Sequence, residues 1–288
     1  MEESIQKAAV LIEALPYIRE FEGKTVVIKY GGAAMLDPEL RRSTAEDVVL
    51  MKYVGMNPVI VHGGGPAING TLKRLGIKSS FSPQGLRITD DATIEVVEMV
   101  LAGSVNKDIV SLLNTAGSTA LGLSGKDGNL LFAEQKETDD GTDIGHVGTI
   151  TQVNTKVIET LTAAGMVPVI APIATDRAGG TWNINADTAA GEVAGALRAE
   201  KLVFLTDTPG LLRDVNDPSS LIHQLRSDEV TPLTESGVIA GGMIPKVEAC
   251  LTALTAGVRK THIIDGRVSH SLLLEIFTRR GLGTLVSH

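Results

Sequence analysis

Val26-Val-Ile-Lys-Tyr-Gly-Gly32 and Val59-Ile-Val-His-Gly-Gly-Gly-Pro66 are the two stretches of sequence that decide the fold. Each is an apolar, β-branched run, typical of a buried strand, that continues into a glycine turn. Because glycine lacks a Cβ, such a turn can bring backbone N–H groups close to anionic oxygens, and a following helix adds the positive end of its dipole. One such turn would fit a purely structural role equally well. Two turns with Lys29 beside them favour phosphoryl transfer.

The remaining sequence alternates between strand-like and helix-like segments. Strands are predicted at 25–30, 58–62, 119–124, 166–171, 201–206, 260–264 and 283–287, with hairpins up to residue 153. Helices are predicted near 39–55, 67–76, 91–116, 154–165, 187–199, 228–238, 243–257 and 270–278. The alternation predicts an α/β fold whose mostly parallel sheet is covered on both faces. The polar, glycine-rich segment 175–181 is the candidate boundary between two lobes.

A further amphipathic helix is predicted over about residues 4–19, ahead of the first strand. Its apolar residues recur at helical spacing: Ile5, Ala8, Ala9, Ile12 and Leu15. Pro16 should kink or end this helix. Such a stripe usually packs against its own domain, but a helix outside the alternation could also pack on another subunit, and the sequence leaves both alternatives open.

Composition excludes several classes of protein. The net charge of −8 and an aromatic content of 3% argue against nucleic-acid binding, which needs basic surfaces and stacking side chains. Cys250 is the single cysteine, so no intramolecular disulfide can form, and helix packing is its expected role. No signal-type N-terminus and no long apolar run occur, which predicts a cytoplasmic protein without a membrane span.

Three charged residues stand where chemistry is expected. Asp187 precedes a helix and is a natural N-cap, a position that also aims its carboxylate at the mouth of the sheet. Lys246 is predicted in a first helical turn, after Gly242 and Pro245, where the helix dipole disfavours a cation unless an anion lies nearby. Arg87, in a short strand before a helix capped by Asp90 or Asp91, could bind a carboxylate bidentately or form a surface salt bridge.

The chain resembles the N-acetyl-L-glutamate kinases of the amino acid kinase superfamily from about residue 5 to residue 287. Five motifs occur in the family's order and spacing: Lys29-Tyr-Gly-Gly32, His62-Gly-Gly-Gly-Pro66, Gly85-Leu-Arg-Ile-Thr-Asp90, Asn183-Ile-Asn-Ala-Asp187 and Gly242-Met-Ile-Pro-Lys246. The resemblance implies an open three-layer αβα sandwich with an extra N-terminal helix. It also implies an oligomerisation helix at 1–22, an acetylglutamate-binding and dimerisation lobe at 23–178 and an ATP-binding lobe at 179–288.

The implied reaction is ATP-dependent phosphorylation of the γ-carboxylate of N-acetyl-L-glutamate in arginine biosynthesis. The resemblance assigns transition-state charge stabilisation to Lys29 and Lys246, orientation of both lysines to Asp187, and phosphoryl-binding N–H groups to Gly32 and Gly64. It assigns acetylglutamate to Gly64 and Gly65, with the α-carboxylate on Arg87 and Asn183, and ATP to Thr206, Asp207, Gly210, Leu211 and Lys246. Mg²⁺ is expected on the ATP phosphates without protein ligands, and no tightly bound prosthetic group is expected.

Arginine-sensitive members of the family carry an extra N-terminal helix that interlaces dimers into a hexamer. This chain matches the positions of their arginine site at Tyr17, Lys201, His262, Glu275 and Gly281. The resemblance therefore implies arginine inhibition and a homohexamer built as a trimer of dimers, with a PII-type signalling protein as a further candidate partner. For Glu275 the alternative is a solvated helix face.

Other functions remain open at this stage. Another acid or carbamate kinase of the superfamily would share the lysines and glycine turns. A catalytically silent arginine sensor is disfavoured because Lys29, Asp187 and Lys246 are all retained. A dinucleotide-dependent oxidoreductase is disfavoured because Gly63-Gly-Gly65 lacks the G-x-G-x-x-G spacing.

Overall fold

Strands and helices alternate along the chain in the order that its hydrophobic periodicity predicts. The structure is a computed structural model that describes residues 1–82, 85–138, 141–278 and 281–288. The strands are β1 (Thr25–Tyr30), β2 (Asn57–His62), β3 (Ser80–Phe81), β4 (Arg87–Ile88), β5 (Ala120–Ser124), β6 (Leu131–Gln135), β7 (Gly148–Val153), β8 (Val167–Ala171), β9 (Ile173–Thr175), β10 (Thr181–Asn183), β11 (Lys201–Thr206), β12 (Gln224–Arg226), β13 (Lys260–Asp265) and β14 (Thr284–Ser287). The helices are α1 (Glu2–Phe21), α2 (Pro38–Tyr53), α3 (Gly65–Leu75), α4 (Asp91–Glu98), α5 (Asn106–Thr115), α6 (Thr155–Ala163), α7 (Ala186–Ala196), α8 (Val230–Glu235), α9 (Ile244–Thr255) and α10 (Ser271–Phe277).

The central sheet has the strand order β12-β14-β13-β11-β1-β2-β8-β5. Every neighbouring pair is parallel except β13 and β14, so the predicted mostly parallel sheet is confirmed. The order switches at β1, which pairs with β2 on one side and β11 on the other. In open α/β sheets, ligands bind in the crevice at the carboxyl ends of the strands beside such a switch point.

Helices cover both faces of this sheet, which confirms the predicted three layers. Val27 of β1 joins a buried cluster with Val193 of α7, whereas Val26 and Ile28 join another with Val48 of α2. Successive β1 side chains therefore face opposite layers, as the period of a strand requires. Cys250 lies buried in the first of these clusters, in the packing role expected for it.

The predicted lobe boundary at 175–181 falls in the turn between β9 and β10. Those strands belong to a second sheet of order β10-β9-β6-β7. Asp176 orders the turn, because its carboxylate accepts hydrogen bonds from the backbone N–H groups of Ala178 and Gly180, both at 2.8 Å. The central sheet takes strands from both sides of the boundary, and the division into 1–22, 23–178 and 179–288 remains a prediction.

Helix α1 differs from its prediction in length and in packing. It continues through Pro16 to Phe21, so of the two predicted effects of Pro16, a kink or an end, the end is wrong. Packing explains the continuation, since Phe21 is buried and α1 packs against α10. Farther towards the N-terminus, Ile5 and Ile12 are 63% and 70% exposed, so the apolar stripe is not covered by its own domain there.

The helix predicted over 91–116 contains a change of helix type. Residues Met99–Val105 are π-helical and join α4 to α5. Single π turns inside α-helices occur frequently at functional sites. No helix in the ranges described above is both long and apolar enough to cross a bilayer.

Candidate active site

A cavity of about 300 Å³ opens at the carboxyl ends of β1 and β2. Its lining combines Lys29, the glycines at 31–32 and 63–65, and Ser104 and Val105 of the π-helical segment. The two glycine turns that the sequence singled out therefore face one space. We call this cavity and the strand ends around it the crevice.

Lys29, Asp187 and Lys246 meet at the crevice from three elements. Lys246 Nζ donates a hydrogen bond of 2.8 Å to Asp187 Oδ2. Lys29 Nζ lies 2.9 Å from Asp187 Oδ1, in an ion pair rather than a directed hydrogen bond. Burial alone would raise the pKa of Asp187, but the charges of Lys29 and Lys246 and the hydrogen bond from Lys246 outweigh it and lower that pKa. One carboxylate thus holds two cations, which leaves a positive charge for an anionic ligand.

Asn185, not Asp187, is the N-cap of α7, so the predicted cap is corrected. The Asn185 side-chain oxygen accepts hydrogen bonds from the N–H groups of Asp187 and Thr188, at 2.8 and 3.1 Å. Asn185 has the extended backbone that a cap needs, with φ −60° and ψ 130°. Asp187 therefore sits within the first helical turn, where its carboxylate is available to both lysines.

Gly32 allows β1 and β11 to approach at their carboxyl ends. Its φ of +65° is a left-handed conformation that favours glycine, and an added Cβ would overlap the carboxylate of Asp207. The same carboxylate accepts a hydrogen bond from the N–H of Ala33. Asp207, which the sequence analysis assigned to ATP, thus ties the first glycine turn to the end of β11.

The second glycine turn leads directly into α3. Gly64 is the residue before the helix and Gly65 its first residue, so their N–H groups lack intrahelical partners. The space beside the Gly64 α-carbon is filled by Leu101 of the π-helical segment, whereas the space beside Gly65 is open. Both glycines line the crevice.

Arg87 and Asn183 line a second, smaller cleft of about 150 Å³. Arg87 is only 8% exposed, its guanidinium lies 4.7 Å from the Phe81 ring centroid, and burial lowers its pKa. Within the described ranges no carboxylate pairs with Arg87, so the alternative of a surface salt bridge does not hold there. A buried guanidinium that contacts the Ser79 hydroxyl and the Phe81 ring but no carboxylate in the described ranges suits an anionic ligand. The Asn183 amide donates to Thr89 Oγ1 at 3.2 Å.

The other residues assigned to ATP lie at the end of β11 and after it, but they do not line the crevice cavity. Thr206 Oγ1 donates to the Ile264 carbonyl at 3.1 Å. Leu211 is buried, and its N–H donates to Thr284 Oγ1 at 2.8 Å. Gly210, with φ +146°, packs closely against Thr284. These contacts fix the chain beyond β11, and their assignment to ATP remains a prediction.

Four of the five residues matched to an arginine site form one cluster, in which Lys201, His262 and Glu275 are buried. Lys201 Nζ and His262 Nε2 each lie 3.0 Å from Glu275 Oε1, and the N–H of Leu282 donates to Oε2 at 3.1 Å. Gly281, with φ +60°, brings the backbone against Glu275. Glu275 is 4% exposed, so the alternative that it lies on a solvated helix face is wrong.

The charges of this cluster compensate one another in its buried surroundings. Burial alone would raise the pKa of Glu275, but the His262 hydrogen bond and the charges of His262 and Lys201 hold it at about 2. Burial lowers the pKa of both His262 and Lys201. Tyr17, the fifth matched residue, lies half-buried on α1. Phe21, the last residue of the same helix, has its ring centroid 5.7 Å from Lys201 Nζ.

Asn106 is a buried polar residue near the crevice that none of the sequence motifs contains. It is fully buried at the start of α5 and contacts His62. Ile109 and Leu113 follow it at helical spacing and are buried too. A polar residue on this apolar stripe was the available signal, because a buried amide needs several hydrogen-bond partners.

Comparison with known proteins is consistent with this geometry. A sequence profile described as the amino acid kinase family matches residues 24–265, and the chain belongs to that family. Within it, the chain is 57% identical to "Acetylglutamate kinase" of Heliobacterium modesticaldum, with 99% of each chain covered. It is 58% identical to "Acetylglutamate kinase" of Thermoanaerobacter pseudethanolicus, with 99% of this chain and 94% of the relative covered.

Solved structures share the fold. N-acetylglutamate synthase from Neisseria gonorrhoeae, complexed with coenzyme A and N-acetyl-glutamate, superposes with a TM-score of 0.85 at 29% identity, over 98% of this chain and 63% of that chain. Carbamate kinase from Giardia lamblia, bound to AMP-PNP, gives a TM-score of 0.67 at 18% identity, over 92% of this chain and 98% of that chain. At that identity the carbamate kinase supports the fold alone.

Proposed function

We propose that this protein transfers the γ-phosphoryl group of ATP to the γ-carboxylate of N-acetyl-L-glutamate, yielding N-acetyl-L-glutamyl 5-phosphate and ADP. The reaction belongs to arginine biosynthesis. The observation that carries the proposal is the contact of Lys29 and Lys246 with the buried Asp187 at the crevice, in a chain 57% identical over its length to a protein named acetylglutamate kinase.

The chemistry fits these residues. A γ-carboxylate with an ordinary pKa of about 4.3 is already ionised at neutral pH, so the nucleophile needs no general base. Catalysis then consists of placing the two substrates and neutralising charge on the transferring phosphoryl group. Lys29 and Lys246 supply the charge, Asp187 orients both, and the N–H groups of Gly32 and Gly64 donate to phosphoryl oxygens. MgATP is the co-substrate, with Mg²⁺ held by the phosphates.

We assign the acetylglutamate to the space between the crevice and the smaller cleft. Gly64 and Gly65 border its reacting end, and Arg87 and Asn183 hold the α-carboxylate. The burial of Arg87 without a carboxylate partner in the described ranges supports this assignment, since an incoming anion compensates the cation. Thr206, Asp207, Gly210 and Leu211 are assigned to the ATP side.

Arginine inhibition and a hexameric assembly are a second part of the proposal. The buried cluster around Glu275 and the exposed apolar residues of α1 support it, because α1 ends against that cluster and leaves an apolar face free for another subunit. A PII-type partner remains a prediction from the family resemblance, and a cytoplasmic location remains a prediction from the sequence.

An ADP-release assay with different acceptors tests the function. N-acetylglutamate, glutamate, aspartate and carbamate are compared at equal concentrations, with the Lys246→Ala protein as the control for contaminating ATPase activity. We expect N-acetylglutamate to give the largest kcat/KM by an order of magnitude or more. A preference for carbamate or aspartate would support another superfamily kinase. Arginine binding without turnover of any acceptor would support the silent sensor.

A further inference from the structure

We propose that His62 and Asn106 are positioning residues for phosphoryl transfer, which hold the peptide between Gly63 and Gly64 so that the Gly64 N–H points into the crevice. The inference rests on the proposed function, in which that N–H binds the transferring phosphoryl group. Neither side chain lines the crevice cavity, so both act through the backbone of the glycine turn.

The hydrogen bonds fix the protonation of His62. Asn106 Nδ2 lies 3.1 Å from His62 Nε2 and donates to the Val169 carbonyl at 2.9 Å, while Asn106 Oδ1 accepts from Lys107 Nζ at 2.9 Å. Because the amide nitrogen can only donate, His62 Nε2 must accept. The single ring proton is then on Nδ1, which donates to the Gly63 carbonyl at 2.8 Å.

The protonation of His62 is consistent with its surroundings. The ring is completely buried, and burial, with a smaller contribution from the charge of Lys107, lowers the pKa of His62 to about 4 despite its bond to Gly63. A neutral ring at physiological pH has one donor and one acceptor. The Gly63 carbonyl accepts from the ring donor, and the Asn106 amide donates to the ring acceptor.

The orientation of the Gly63 carbonyl determines the direction of the next N–H. In a planar trans peptide the C=O and the N–H point in opposite directions. With the Gly63 oxygen turned towards the buried ring, the Gly64 N–H is directed to the other side. In the part of the chain that the structure describes, no protein acceptor takes up that N–H. Gly64 lines the crevice, so the free donor is available to a ligand there.

The π-helical segment places Asn106 for this contact. A π turn contains more residues than an α turn, so it shifts which residues face the sheet in the helix that follows. Ser104 and Val105 consequently line the crevice, and Asn106 reaches His62. Leu101 and Val105 also pack against the Gly64 α-carbon on the side where a Cβ would stand. The segment thus supports the glycine turn through packing and through Asn106.

Two substitutions of His62 separate its two hydrogen bonds. In His62→Asn the amide nitrogen occupies the place of Nδ1, so the bond to Gly63 is retained and the one to Asn106 is lost. In His62→Gln the amide reaches Asn106 and the bond to Gly63 is lost. We expect His62→Gln to lower kcat about tenfold to a hundredfold, with KM values for both substrates changed by less than about threefold. His62→Asn should keep kcat within about fivefold of wild type.

Two asparagines of α5 provide a matched second pair. Asn106 and Asn114 both bond to backbone of the central sheet, since Asn114 Oδ1 accepts from the Ala120 N–H at 2.7 Å. Asn106→Ala loses the same bond as His62→Asn and should lower kcat by about fivefold, whereas Asn114→Ala should leave it unchanged at equal thermal stability. If the His62 variants do not fold, this pair decides the question.

Each variant is compared with wild type in kcat and in its affinity for a transition-state analogue. Affinity for MgADP with aluminium fluoride, measured by calorimetry with N-acetylglutamate present, should fall in parallel with kcat, while affinity for MgADP alone is retained. Equal kcat and equal analogue affinity in His62→Gln and His62→Asn, or in Asn106→Ala and Asn114→Ala, would overturn the positioning role. Failure of the wild-type protein to phosphorylate N-acetylglutamate would instead overturn the proposed function.

Discussion

Asp187 and Lys246 are joined by a hydrogen bond of 2.8 Å, although 59 residues separate them in the chain. The bond connects the first turn of α7 to the first turn of α9, where both helix dipoles present their positive ends. Placing Lys246 and Lys29 there is unfavourable without negative charge. Asp187 compensates one of the two ammonium groups, and the phosphates of a nucleotide would compensate the other.

Removal of either lysine should impair chemistry more than binding. We expect Lys29→Ala and Lys246→Ala each to lower kcat by two or more orders of magnitude, because their charge matters most when negative charge moves to the phosphoryl oxygens. The KM for N-acetylglutamate should change by less than about fivefold. Steady-state ADP release measures both constants.

Lys24→Ala is the control for removing a lysine next to β1. Lys24 lies just before β1, its side chain is 52% exposed, and it contacts Glu200 at 3.8 Å. Its removal should leave kcat unchanged. Near-wild-type kcat in Lys29→Ala or Lys246→Ala would exclude that lysine from the mechanism.

Arg87→Ala should act mainly on substrate binding. The α-carboxylate that we assign to Arg87 is remote from the reacting γ-carboxylate, so its loss weakens ground state and transition state alike. The KM for N-acetylglutamate should rise at least tenfold with kcat nearly constant. Arg226→Ala, which removes an exposed arginine paired with Asp228, is the control. An unchanged KM in Arg87→Ala would refute the assignment.

Gly32→Ala tests whether the first glycine turn needs a close approach as well as a left-handed backbone. The new Cβ would overlap Asp207 at a φ of +65°. Gly237→Ala is a matched control, because Gly237 has a φ of +77° with open space around it. The control should lose about 1 kcal/mol of unfolding free energy and keep its kcat. Gly32→Ala should lose more stability and at least tenfold in kcat; equal behaviour of the two variants would show that only backbone strain matters.

Much of this architecture was predictable because the buried strands are short, β-branched runs with glycine after them. The 25–30 strand and the 201–206 strand match β1 and β11 to the residue. Motifs at the ends of parallel strands meet at one edge of the sheet, so the grouping of Lys29 with the glycine turns also followed from the sequence.

The rest depended on tertiary contacts that local patterns do not contain. Asn183, Asn185 and Asp187 are all good capping residues, and only the observed backbone distinguishes Asn185. The apolar periodicity of 91–116 fits an α-helix and a π-helical interruption equally well. Lys201 and Glu275 are 74 residues apart, so their pairing could be suggested by family resemblance but not by spacing.

Stability at acidic pH should report on the Glu275 cluster. The pKa of Glu275 is lowered from 4.5 to about 2 in the folded protein, so its contribution to stability is complete above pH 4.5 and is lost as the pH falls towards 2. This lowering of the Glu275 pKa corresponds to about 3 kcal/mol of unfolding free energy. Glu275→Gln should be less stable than wild type at neutral pH and should lack this part of the pH dependence. Urea unfolding between pH 2 and pH 7 measures the unfolding free energy of both proteins. If the two free energies changed in parallel with pH, Glu275 would not be ionised in the folded protein.

Deletion of residues 1–20 should separate control from catalysis. The crevice residues all lie after residue 20, and Phe21, which packs near Lys201, is retained. The exposed apolar residues of α1 are removed with the deletion, so we expect dimers that remain active and respond poorly to arginine. Analytical ultracentrifugation gives the oligomer size, and inhibition curves give the arginine response.

Glu275→Gln in the full-length chain tests the arginine site without removing α1. Loss of a charge-assisted hydrogen bond should weaken arginine binding by about 1.5–3 kcal/mol, which calorimetry can measure directly. Arg42→Ala is a suitable control, because Arg42 pairs with Glu39 and Glu46 on the exposed face of α2. An unchanged hexamer after deletion would refute the assembly role of α1. Undiminished arginine binding by Glu275→Gln would refute the assignment of arginine to this cluster, because a guanidinium held there needs the ionised carboxylate.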